Sequence, residues 1–98
     1  FMRQVAAVQT SGTLLPQAKD HITLTYAAPA TITGQQNVIT TVDGLLSVHD
    51  TVGNITLQHA AAPTSGQGKF WFKAGVDKVM TANMTVLFRI RDGNFYEI

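Results

Sequence analysis

The chain has 98 residues, enough for one domain with a single core and little stability to spare. Charged residues make up 13% of it, against about 25% in an average soluble domain. The net charge is +1 with basic residues scattered along the chain, which excludes the clustered footprint of a nucleic-acid binder. Without cysteine there is neither a disulfide framework nor a thiolate metal site, and no apolar run approaches the roughly 18 residues that span a bilayer.

Apolar and polar residues alternate with a period of two almost everywhere. Residues 2–9 (MRQVAAVQ) read as a first strand, with a short helix ending near Gly12 as the alternative. Phe1 ahead of Met2 reads as a remnant or an excised fragment. In residues 21–26 (HITLTY), Ile22, Leu24 and Tyr26 share one face, with His21, Thr23 and Thr25 on the other. Residues 37–42 (NVITTV) and 45–50 (LLSVHD) flank Asp43-Gly44, a two-residue hairpin signal. That turn pairs Val42 with Leu45, Thr41 with Leu46 and Ile39 with Val48. Apolar residues then fall on both faces: Val38, Val42 and Leu45 on one, Ile39, Leu46 and Val48 on the other.

The chain is expected to return through DTVGN into residues 54–59 (NITLQH), with Ile55 and Leu57 inward. Residues 60–68 (AAAPTSGQG) form the longest predicted loop. In residues 69–73 (KFWFK), Phe70 and Phe72 point to the core while Lys69, Trp71 and Lys73 share the opposite face. Residues 74–83 (AGVDKVMTAN) read as a loop with a turn, although Val76, Val79 and Met80 also have helical spacing. The last hairpin puts Met84, Val86, Phe88 and Ile90 inward. A three-residue loop, Arg91-Asp92-Gly93 with Gly93 left-handed, pairs Phe88 with Tyr96 and Val86 with Ile98.

Two histidines and two aspartates fall within residues 40–59, but strand geometry separates them. An even loop sends His49 and His59 to opposite faces. An odd loop leaves them about 13 Å apart along a strand. Zinc holds its nitrogens at about 2 Å. Ser47 and His49 share a face about 6–7 Å apart, too far for a nucleophile–base hydrogen bond. Asn54-Ile55-Thr56 and Asn83-Met84-Thr85 fit the glycosylation triplet, as chance provides in a Thr-rich chain.

These features predict a single all-β domain over residues 1–98. The expected form is an antiparallel β-sandwich or small β-barrel of about eight strands, with one short helical turn as an option. No catalytic, metal or cofactor residues are expected, so the chain is not read as an enzyme. The expected function is a structural or assembly module of the virion surface, decoration or fibre type. It would self-associate or bind other structural proteins, without nucleic acid or membrane insertion. The alternative is an extracellular carbohydrate-binding or adhesin-type domain. Trp71, flanked by Lys69 and Lys73, is the candidate interaction surface in either case.

Overall fold

A computed structural model describes residues 6–16, 21–35, 44–60, 68–91 and 93–98. These residues contain eleven strands and no helix, so the protein is all-β. In chain order the strands are β1 (Ala6–Gln9), β2 (Leu14–Leu15), β3 (His21–Leu24), β4 (Ala30–Ile32) and β5 (Gly34–Gln35). They continue as β6 (Gly44–Asp50), β7 (Ile55–Leu57), β8 (Phe70–Trp71), β9 (Lys78–Val79), β10 (Met84–Arg91) and β11 (Asn94–Glu97). Three sheets result: a six-stranded one in the order β1-β3-β6-β10-β11-β8, a pair β2-β5, and a three-stranded β4-β7-β9.

The alternation read from the sequence places the core correctly. Ile22, Leu24 and Tyr26 are buried, as are Ile55, Leu57, Phe70, Phe72, Val86, Phe88 and Ile90. Phe70 lies at the aromatic centre, 5.0 Å from Phe88 and 5.7 Å from Phe95 between ring centroids.

The connectivity departs from the expected antiparallel hairpins. β1, β3 and β6 pair in parallel, as do β2 with β5, β4 with β7, and β11 with β8. From β1 to β10 each described strand is followed by a strand of a different sheet, and β10 and β11 alone are consecutive strands of one sheet, so most of the turn signals mark corners between sheets. Period-two alternation is the same for parallel and antiparallel pairs, which is why it did not distinguish them. Among the described strands, antiparallel ladders join β10 to β6 and β11, and β7 to β9, and a single antiparallel bridge joins Gln35 to Gly68.

The β6 strand is central. Val48 has Ile22 on one side and Val86 on the other. The residues expected to pair with it across Asp43-Gly44, including Val38, Ile39 and Val42, lie outside the described residues, as do residues 1–5 and most of the 60–68 loop. The expected return of residues 54–59 alongside β6 is also replaced. β7 belongs to the three-stranded sheet, because the chain turns a corner after Asp50.

Asp50 makes that corner. Its carboxylate is fully buried. Oδ1 accepts the amides of Val52 (3.1 Å) and Gly53 (2.9 Å), and Oδ2 accepts that of Ile55 (3.0 Å). Gly53 has φ 92, and a Cβ there would lie 2.6 Å from the Ala82 nitrogen. Left-handed backbone and close approach together demand glycine. Thr51 donates its amide and its hydroxyl to the Leu24 carbonyl, both at 3.0 Å. The Asn54 side chain donates to the Tyr26 carbonyl at 2.8 Å.

Two further expectations are corrected. The last hairpin pairs Phe88 with Glu97 and Ile90 with Phe95, leaving two residues in the loop, where Gly93 has φ 77. This register sends Phe95 into the core in place of Tyr96 and Ile98. Glu97, opposite Phe88, is accommodated by turning its carboxylate to Lys73 and Lys78. The 74–83 segment is neither helical nor all loop. β9 forms within it, and the amide of buried Met80 donates to the Ile55 carbonyl at 2.9 Å.

Removing the Asp50 carboxylate orphans three amides in a closed corner, and hydrogen bonds to charged groups contribute about 1.5–3 kcal/mol each. Asp50→Ala is expected to lose about 3 kcal/mol or more in urea unfolding, with Asp50→Asn losing less.

Candidate interaction surface

In and around β8 the alternation read from the sequence holds: Phe70 and Phe72 are buried, Lys69 and Trp71 are half-buried and Lys73 is exposed. Trp71 pairs in register with Tyr96 of β11, and the two rings lie nearly parallel, 6.3 Å apart at 9°. The Lys69 Nζ sits over the indole at 5.0 Å from its centroid. A contact of this kind contributes about 0.5–1 kcal/mol at an exposed site. The His59 ring meets the indole edge-on at 5.6 Å. Trp71 is therefore half-buried and hemmed by its neighbours. Its Nε1 is buried with no acceptor among the described residues.

Lys73 is tied to Glu97 through its main chain. Its main-chain amide donates to Glu97 Oε1 at 2.9 Å, while Lys78 Nζ lies 3.3 Å from Oε2. The Lys73 amide, assisted by Lys78, holds the Glu97 carboxyl below its ordinary value.

Around Trp71 extends the solvent side of the six-stranded sheet, whose rows follow from the register. One runs Leu45, Arg89, Tyr96, Trp71; the next runs Ala6, His21, Ser47, Leu87; a third runs Val8, Thr23, His49, Thr85. Ile98 adjoins the second row, donating its amide to the Leu87 carbonyl. Gly44, Leu45, Lys73, Arg89, Tyr96, Glu97 and Ile98 line a groove here. Basic residues that look scattered in the sequence are collected by the sheet: Lys69, Lys73, Arg89 and Arg91 all belong to this side. The Glu97 carboxylate reaches the rim of this side beside Lys73.

The histidines are placed apart. His49 stands on the solvent side with Nδ1 2.7 Å from Thr85 Oγ1. His59 accepts the Phe72 amide at Nδ1 (3.0 Å), which assigns its ring proton to Nε2. Among the described residues no group of three or more His, Asp or Glu is placed to hold a metal ion. His59 as the partner of Trp71, and Asp50 as a corner, were both missed from sequence. Asp50-Thr51-Val52-Gly53 carried an available signal, since an aspartate ahead of a glycine commonly binds its own backbone two or three residues on.

No family model, no curated protein and no solved structure matches this chain.

Because the Glu97 carboxyl is held below its ordinary value, its contribution to stability is present above that value and lost as pH falls through the folded-state value. Thermal melts across the acidic range should show this loss in the native chain and a smaller one in Glu97→Gln.

Proposed function

We propose that the chain is a non-catalytic structural module that works by contact, as a homo-oligomer of the virion surface, decoration or fibre type. The solvent side of the six-stranded sheet carries the reading. Val8, Leu87, Tyr96 and Ile98 are 71%, 45%, 38% and 59% exposed there. Large apolar side chains gathered on one uncovered face are what a contact surface presents. The low charge and abundant threonine agree, because few ions must lose water when such a surface is covered. The virion setting is proposed by analogy of composition alone.

The polar groups that would interest a catalytic reading are committed to structure. Asp50 holds three amides, His59 holds the Phe72 amide, and Glu97 holds Lys73 and Lys78. No helix among the described residues is long and apolar enough to cross a membrane. Nucleic acid is a poor fit, because single-strand binding asks for aromatic faces open to bases, and Lys69 lies over the indole.

The near-parallel Trp71–Tyr96 pair favours a second reading, an extracellular carbohydrate-binding or adhesin-type domain. The same lysine cover ranks it below assembly.

Size-exclusion chromatography with light scattering is expected to give an oligomer that dissociates on dilution, and a strict monomer at high concentration overturns the assembly reading. A glycan array divides the two: the glycan reading predicts binding by the native chain that Trp71→Ala loses, whereas assembly alone predicts no glycan binding by either.

A further inference from the structure

The two ends of the parallel pairing are not alike. On one side the antiparallel strands β10 and β9 cover β6 and β7. On the other side β1, β2 and β4 are each the terminal strand of their sheet. The longest of the three, β1, has the sequence AAVQ. The Gln9 carbonyl accepts the Thr25 amide at 3.0 Å, so Gln9, and by alternation Ala7, direct their main-chain groups toward β3. Ala6 and Val8 direct theirs outward, where no described strand meets them.

Proteins ordinarily guard such an edge with charge, proline, a bulge or a covering loop. No charge, proline or covering strand of the described residues guards this one, and Val8 is 71% exposed. The edge is also held in shape. The Gln9 side-chain amide donates to the Leu14 carbonyl (2.9 Å) and the Tyr26 hydroxyl (2.7 Å), and that hydroxyl donates to the Gly12 carbonyl (2.8 Å). Little ordering is left for an added strand to induce.

We propose that the homo-oligomer forms by antiparallel pairing of β1 with β1 of a second copy, joining two six-stranded sheets into one. This rests on the assembly reading and places its contact at the β1 margin of that apolar side, where Val8 is the most exposed of the large apolar residues. Charge decides between edge and face. Stacking two sheet faces would bring together Lys69 and Arg91 of each copy, neither paired with a described carboxylate, and like charges disfavour such stacking. The β1, β2 and β4 strands contain no charged residue, so a dyad through this edge brings no repulsion. The register that uses both outward residues places Ala6 opposite Val8 of the partner subunit, each pair exchanging its N–H···O bonds.

Val8→Pro deletes an outward N–H and leaves the β1–β3 bonds intact, a position where an edge strand tolerates proline. By size-exclusion with light scattering this variant should be monomeric where the native chain is dimeric, its affinity lowered about tenfold or more. Leu87→Lys, on the face, should leave the dimer. Hydrogen exchange of the native chain gives a readout independent of any variant. The Ala6 and Val8 amides should gain protection with concentration, while those of Ala7 and Gln9 are protected throughout. A dimer that survives Val8→Pro and dissociates with Leu87→Lys overturns the edge contact and keeps the assembly reading. Ala6 and Val8 amides indifferent to concentration in a dimer do the same. A native chain monomeric at every concentration overturns both.

Discussion

One buried carboxylate decides where the chain goes. Asp50 ends the central strand between Leu24 and Met84, and its two oxygens hold three amides of the segment that follows. Burying an ion costs several kcal/mol unless its acceptor sites are filled. Here the filled sites are the corner itself, so the cost of burial is offset only when the chain leaves the six-stranded sheet for the three-stranded one. The exposed Lys78–Glu97 pair is a smaller matter, since surface ion pairs contribute about 0–1 kcal/mol. The positions of Gly53 against Ala82, Thr51 on Leu24 and Met80 on Ile55 all presuppose the corner.

Faces were legible in the sequence and neighbours were not. Ile22, Leu24, Ile55, Leu57, Val86 and Phe88 announce their burial by alternation, because a side chain's face depends on its own strand alone. Which strand lies beside another depends on loops, and Gly, Asn and Asp mark a corner between sheets in the same way as a hairpin. DTVGN therefore looked like the turn of a meander, though its aspartate was binding amides across a corner. In the last hairpin the error was one residue of register. A three-residue loop made Tyr96 and Ile98 the inward set and hid the better core residue, Phe95, because a shift of one residue exchanges the two faces of a strand.

The candidate surface was half legible for the same reason. Alternation placed Trp71 between Lys69 and Lys73 on the solvent side. It carried no information about Tyr96, which arrives through a parallel pairing from β11, or about His59, which comes from a different strand altogether. The apolar and basic character of the face is likewise a property of six strands read across their register.

The central position of β6 has a consequence for how the protein is made. Its partners lie on either side of it in the sequence, with β3 upstream and β10 well downstream. Synthesis therefore delivers the middle of the sheet with one edge filled and the other waiting. Until β10 has left the ribosome, Leu46 and Val48 lack their antiparallel neighbours, and β8 must wait longer still for β11. Non-local pairings of this kind are slow to close and expose strand edges meanwhile. The β10–β11 hairpin is local enough to form quickly once both strands have emerged, and its arrival gives β6 and β8 the neighbours they were waiting for.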